Sequence, residues 1–309
     1  MILESEIKSS HKIVQLKNHI GNTPLYELKS FSLNPKVKIY AKLEWMQFGG
    51  SVKSRPAYQI IADAVEKGQL HEGKTLLDAS SGNTAIAYAS IAANLGIKVA
   101  ISLPQTASQE RKNLLKALGA EIIYTSKLGN MEEAQEIVHK LAEERPDKYF
   151  LANQYGNDNN WLAHYNNTGH EVWEQTNGRV THFVAGLGTT GSFMGTTRAL
   201  KTYDKEIKFT ALQPVCENHG LHGWKHMPSS KIPTIYDSNL PDEFRYVDKE
   251  EAYKTLKLLA KQEGLMIGPT GAANLVGALK LAEELDEGTI VTLFPDNAEK
   301  YGAILEELF

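Results

Sequence analysis

Cysteine is nearly absent: Cys216 is the only one among 309 residues. No intrachain disulfide can form, and a reducing compartment fits that composition. The expected role of Cys216 is a small buried hydrophobe rather than a reactive thiol. Long apolar runs are also missing. None approaches the roughly 18 residues of a membrane-spanning helix, so no membrane partner is expected. Residues 1–15 carry Glu4, Glu6, Lys8 and His11 without an apolar stretch, which argues against a signal peptide and for a cytoplasmic location. Positive charge is not in excess. A net charge of −4 disfavours nucleic acid as a partner. What remains is an ordinary globular composition, 42% hydrophobic and 23% charged, long enough for one large domain or for two of about 150 residues.

Short apolar runs alternate with longer helical patterns. Strands are expected at 37–43, 75–79, 97–103, 121–124, 182–185, 208–212 and 289–294. Helices are expected at 56–67, 84–95, 110–118, 131–144, 161–175, 192–203, 249–263 and 272–285. This alternation predicts an α/β protein whose parallel sheets are covered by helices. Two stretches interrupt it. Residues 153–160 are polar and read as a domain crossing. Residues 219–240 have no period, contain Pro228 and Pro233, and read as a long functional loop.

Chemistry is concentrated in four turns. Gly49-Gly50-Ser51-Val52-Lys53-Ser54 places one lysine just before a helix. A lysine kept for solubility needs no such setting, whereas one that forms an imine with a carbonyl must be fixed, partly dried and able to lose its proton. Gly186-Leu187-Gly188-Thr189-Thr190-Gly191-Ser192 follows a strand and opens a helix, the composition of a phosphate cradle. A tight turn without ligand would also account for it. Its Gly-x-Gly-x-x-Gly spacing matches a dinucleotide fingerprint, but the next strand ends in Gln213-Pro214 where a ribose-binding acid is needed, so a nicotinamide cofactor is discounted. Ser80-Ser81-Gly82-Asn83-Thr84 has the same grammar and suits a small carboxylate, or simply a well-capped helix. Pro269-Thr270-Gly271 opens another helix, with Thr270 as an adequate cap.

Taken in order, Gly21-Asn22-Thr23-Pro24-Leu25, the Lys53 turn, Ser81-Gly82-Asn83-Thr84, Gly188-Thr189-Thr190-Gly191-Ser192 and Pro295-Asp296 through Lys300-Tyr301 resemble the fold-type II pyridoxal-phosphate enzymes of the cysteine synthase and cystathionine β-synthase family. The likeness covers about residues 12–302. The Thr-Thr-Gly loop and Leu212-Gln213-Pro214 are similar to the B-type cysteine synthases. The resemblance implies a tryptophan synthase β-like architecture. A smaller, partly mobile domain would take 47–157 and close over substrate, and a larger phosphate-binding domain would take 1–46 and 158–309. The cofactor would lie between them.

The resemblance also implies roles. Lys53 would form the imine with pyridoxal 5′-phosphate and shuttle the substrate α-proton. Asn83 would hold the 3′ oxygen, Gly188, Thr189, Thr190, Gly191 and Ser192 the phosphate, and Thr270 the pyridine nitrogen. Ser80, Ser81, Gly82, Thr84 and Gln154 would hold the substrate carboxylate. The implied reaction is β-replacement on O-acetylserine or O-phosphoserine through an aminoacrylate, with sulfide or a sulfide donor giving cysteine, in a homodimer. Another nucleophile giving cystathionine or a diaminopropionate, a serine/threonine dehydratase, or a non-catalytic relative are the alternatives. Gln47-Phe48, Ser54, Ala85 and Ala298 depart from the family's usual residues and bear on the substrate.

Smaller signals remain. Lys225, beside Trp224, would read a dianionic leaving group or be a solvated lysine. His219, His222 and His226 lack the acid or cysteine that would complete a metal set, and no metal is expected. Glu283, Glu284 and Glu287 read as a solvated helix face.

Overall fold

Residues 12–32 and 34–309 are described by the structure, a computed structural model. Residues 1–11, which hold most of the segment read against a signal peptide, lie outside the described residues. No described helix is long and apolar enough to cross a membrane.

In chain order the strands are β1 (Leu25–Glu27), β2 (Val37–Leu43), β3 (Thr75–Ala79), β4 (Lys98–Leu103), β5 (Glu121–Tyr124), β6 (Tyr149–Leu151), β7 (His182–Gly186), β8 (Lys208–Pro214), β9 (Glu243–Val247) and β10 (Gly288–Phe294). The helices that matter below are α1 (Ser54–Glu66), α2 (Asn83–Leu95), α3 (Gln109–Ala117), α4 (Met131–Glu144), α5 (Gly169–Gln175), α6 (Gly191–Tyr203), α7 (Lys249–Glu263) and α8 (Pro269–Ala282).

The chain forms two compact units. Residues 12–21 and 47–160 form one, and 22–46 and 161–309 the other. The family resemblance predicts 1–46 together in the second. Instead Ile13 and Leu16 are buried in the core of the first unit, where Tyr58 Oη donates to the Ile13 carbonyl at 3.1 Å.

The first unit is built on a parallel sheet of order β5-β4-β3-β6. β3 is buried at all five positions, as expected of a strand covered on both faces. Successive side chains take opposite faces. Leu76 packs with Ile60 and Ile61 of α1 and Tyr88 and Ile91 of α2, while Leu77 and Ala79 pack with Ala134 and Val138 of α4. Alanines along α2 let it lie close to its neighbours, and Gly96 ends it in a left-handed conformation.

The second unit's sheet has the order β1-β2-β10-β7-β8-β9, antiparallel at the β1–β2 pair and parallel elsewhere. Val184, Leu212 and Ile290 face α7 and α8 through Leu256 and Leu275, and Phe183, Phe209 and Val291 face α6 through Phe193 and Leu200.

Strands β1, β6 and β9 were not expected. The first two have three residues each, and β9 is an edge strand with Phe244 and Tyr246 exposed. The segment expected to be one helix over 161–175 contains a π-helical turn, His164–Thr168, before α5. Cys216 is exposed, not buried, because it lies in the turn just beyond the end of β8.

Candidate active site

In the first unit, Lys53 is the residue that leads into α1, with φ −72° and ψ −12°. The reversal before it uses Gly49 and Gly50 at φ +85° and +64°, a region closed to most side chains. A Cβ on Gly49 would lie 2.7 Å from Ser54 Oγ and 3.7 Å from the Ala87 backbone, so the turn is seated on α2. The Lys53 N–H donates to Ser51 Oγ at 3.3 Å. The side chain keeps partial exposure, yet the protein packed around its ammonium lowers the pKa to about 8. About a tenth is therefore the neutral amine at pH 7.

The loop after β3 is braced on several sides. Ser80 N–H donates to the Ser102 carbonyl at 3.1 Å, Gly82 N–H to Ser80 Oγ at 3.3 Å, and Arg111 Nη1 of α3 to the Ser81 carbonyl at 3.4 Å. Asn83 and Thr84 start α2, whose first-turn N–H groups have no intrahelical acceptors. Gln154 stands behind this loop. Its Oε1 accepts from Thr84 Oγ1 at 2.7 Å and its Nε2 donates to the Ala79 carbonyl at 3.1 Å. The structure thus brings Ser80, Ser81, Gly82, Thr84 and Gln154 together, with Gln154 as the brace of the loop.

Beneath them lies Asp78, which sequence reasoning missed. Its Oδ1 accepts from Ala79 N–H at 2.8 Å and its Oδ2 from Gln154 N–H at 3.2 Å. Burial raises its pKa to about 6, against the pull of those two donors. Half-buried Tyr155 is pushed up to about 12 by the protein packed around it and then by the Asp78 charge. A lone acid in Thr75-Leu76-Leu77-Asp78-Ala79, immediately before a polar turn, was the available signal.

In the second unit, β7 runs into Gly186–Gly191 and α6. A Cβ on Gly186 would collide with the Trp224 ring, and one on Gly188 with the Gly223 carbonyl oxygen. Only glycine lets segment 223–225 cross so closely, and Lys225 N–H reaches the Leu187 carbonyl at 2.8 Å. Asn274 of α8, also missed, ties the turn down: its Oδ1 accepts from Gly186 N–H at 2.8 Å while its Nδ2 donates to the Leu293 carbonyl at 2.7 Å. Thr190 adopts φ +72°, a strained conformation for a β-branched residue. Its hydroxyl is buried with no hydrogen-bond partner. Thr189 is buried and Ser192 half-buried in the same turn.

Thr270 is buried but is not a cap. Gly268 precedes the helix and Pro269 takes its first position, where a missing N–H costs nothing, so Thr270 lies inside the first turn. A Cβ on Gly223 would lie 3.8 Å from Thr270 Cγ2. At the end of β10, buried Asp296 accepts from Tyr301 Oη at 2.7 Å, and its carbonyl accepts from Gly268 N–H. Lys225 is half-buried. His219 Nδ1 accepts from Leu221 N–H at 3.0 Å, and burial, then His222 and His226, lowers its pKa. Among the described residues no three His, Cys, Asp or Glu side chains are grouped to hold a metal. Glu284 pairs with Arg245 at 2.6 Å on the surface.

The donor sets suit two different ligand groups. An orphaned buried hydroxyl, a strained left-handed residue and helical N–H groups gathered on a glycine turn fit a phosphate. A lysine with its pKa lowered to about 8, at the head of a rigid helix, fits an aldehyde carbon. Pyridoxal phosphate carries both groups.

Residues 16–296 match the family of pyridoxal-phosphate dependent enzymes. The chain is 43% identical to a cysteine synthase of Aquifex aeolicus, over 91% of this chain and 88% of that one. It is 35% identical to cysteine synthase B of Escherichia coli, over 95% and 97%. A crystal structure of a cysteine synthase from Entamoeba histolytica superposes with a TM-score of 0.88 at 35% identity, covering 93% of this chain and 88% of that one. The chain belongs to the pyridoxal-phosphate-dependent enzymes, within their cysteine synthase and cystathionine β-synthase family.

Proposed function

We propose that this enzyme makes cysteine by β-replacement on an activated serine, O-acetylserine or O-phosphoserine, with sulfide or a sulfide donor as nucleophile. The observation that carries the reading is Lys53, its pKa lowered to about 8, in a turn seated on the same helix whose first turn bears the Ser80–Thr84 loop. An amine and a carboxylate-binding loop on one rigid element are what an α-amino acid needs.

When bound, pyridoxal phosphate supplies an electron-withdrawing ring that stabilises negative charge at the amino acid's α-carbon and so lets a β-substituent leave. Lys53 Nζ would hold the cofactor through its aldehyde carbon. The Lys53 amine, with its pKa lowered to about 8, would take the substrate α-proton and return it to the same carbon. Ser80, Ser81, Gly82 and Thr84 hold the substrate carboxylate, and Gln154 keeps Thr84 in place. Asn83 holds the ring's 3′ oxygen. Gly188, Thr189, Thr190, Gly191 and Ser192 hold the phosphate, with the Thr190 hydroxyl as one donor. Thr270 meets the pyridine nitrogen. A hydroxyl there does not force a proton onto that nitrogen as a carboxylate would, which favours loss of a β-group over transamination. Lys225 reads the leaving group. Part of the first unit closes over bound substrate, two copies of the chain associate, and the enzyme works in the cytoplasm.

The test mixes purified holoenzyme with O-acetylserine, O-phosphoserine or serine, adds sulfide, and measures cysteine. One of the first two should give cysteine and serine little. Lys53→Ala should remove both turnover and the visible absorbance of the imine. An active Lys53→Ala enzyme, or no cysteine from either activated serine, would refute the proposal.

A further inference from the structure

The central strands of the second unit's sheet begin side by side. Val37 of β2 pairs with Gly288 of β10, and Ile290 of β10 with His182 of β7. Their starts, with the segment leading into β7, line a cavity of about 490 Å³. Lys36, Lys38 and Arg179 border it against a single carboxylate, Glu287. In a chain of net charge −4 this is a local reversal of sign. Lys38 approaches Glu27 only to 3.9 Å with both side chains well hydrated, a weak pair. Among the described residues no carboxylate pairs with Lys36 or Arg179. Arg179 commits its Nε to the Thr176 carbonyl at 3.1 Å, which fixes the guanidinium and leaves both Nη groups for a ligand. The wall is rigid as well: Thr181 Oγ1 accepts from Thr289 N–H at 2.9 Å and lies 2.9 Å from His182 Nδ1.

We propose that this cavity is a second anion site, which takes a small phosphorylated ligand, pyrophosphate or a phosphate ester, on Lys36, Lys38 and Arg179. The guanidinium fork matches two oxygens of an oxyanion, and the two ammonium groups add point charges. The volume lies in the range of about 300–1,000 Å³ typical of small-molecule sites. It is separate from the phosphate turn of the proposed reaction. That turn follows the carboxyl end of β7, where ligands of doubly wound sheets collect, whereas His182 begins the same strand. Five residues of strand put roughly 16 Å between the two. The site does not depend on the cysteine-forming reading.

Isothermal titration of the cofactor-loaded enzyme with sodium pyrophosphate at low ionic strength tests it, since the cofactor then fills the phosphate turn. The wild type should bind with a dissociation constant below about 1 mM, and Lys36→Gln/Arg179→Gln should weaken binding about tenfold or more while keeping the cofactor absorbance. Lys36→Gln alone, at an exposed turn, should weaken it about threefold and serves if the double variant does not fold. Salt at about 0.5 M should also weaken binding. A parallel titration with adenosine diphosphate separates the sources. Comparable binding assigns a phosphate ester, and binding of pyrophosphate alone assigns the free anion. No heat from either probe up to about 10 mM, or unchanged affinity in the variants, overturns the proposal.

Discussion

Two titratable side chains of the first unit are moved by burial in ways that can be measured. Lys53 has its pKa lowered to about 8, so its neutral form grows as pH rises through that value and not through 10.5. Reconstitution of cofactor-free protein, followed by the visible absorbance, should accelerate with pH and level off above about 8.5. An inflection near 10 would mean that the amine is hydrated. Asp78 is moved the other way, from 3.8 to about 6. A folded pKa above the unfolded one favours the fold at low pH, and that contribution is lost as pH rises from about 4 through about 6. Asp78→Asn should flatten the stability profile in that window. It also puts an amide N–H against either Ala79 N–H or Gln154 N–H, so the brace on Thr84 loosens. The expected kinetic result is a KM for the amino acid raised about tenfold, with a smaller change in kcat and an unaltered cofactor spectrum. An unchanged KM would leave Asp78 a purely structural acid. Cys216, read from the sequence as buried, should react as one accessible thiol per chain without denaturant.

Turns between strand and helix were the legible elements, because their glycines and small polar residues announce backbone geometry directly. The Lys53 turn, the Ser80–Thr84 loop and the Gly186–Ser192 turn all lie where the sequence predicted them. Their supports were illegible. Asp78 hides in an otherwise apolar strand, and Asn274 in a buried helix, where periodicity reports only burial. Segment 223–225 had no pattern of its own, and its role emerges only from its close crossing of Gly186 and Gly188. The assignment of residues 12–21 rests on three apolar positions, Ile13, Leu16 and Ile20, too few for a period to name their partner. Such supports are tested through the turn they hold. Gly188→Ala forces a Cβ onto the Gly223 carbonyl, a backbone atom that cannot rotate away. The turn must shift, at a cost of about 1–3 kcal/mol, and its N–H groups move off the phosphate. Cofactor affinity should fall at least about tenfold, read by equilibrium dialysis against free pyridoxal phosphate. Wild-type affinity in that variant would show that the turn is not the phosphate cradle.

At the scale of the whole chain, the cofactor's proposed contacts are divided between residues of two units, each with its own sheet and core. A ligand that binds only the folded protein stabilises it by about 2.7 kcal/mol when present at a hundredfold excess over its dissociation constant. In a chain of this length that corresponds to a melting temperature roughly 4 °C higher. Stripping the cofactor with hydroxylamine should lower the melting temperature by that amount, and adding pyridoxal phosphate back should restore it. Lys53→Ala divides the effect. It removes the covalent hold while leaving Gly188–Ser192 intact, so pyridoxal phosphate should still raise its melting temperature, but by less than in the wild type. Pyridoxal without the phosphate should do little for that variant, because neither of the two proposed attachments is then available. If pyridoxal stabilises Lys53→Ala as well as the phosphorylated form does, residues 188–192 do not hold the phosphate, and the division of the cofactor between an amine and an anion cradle fails.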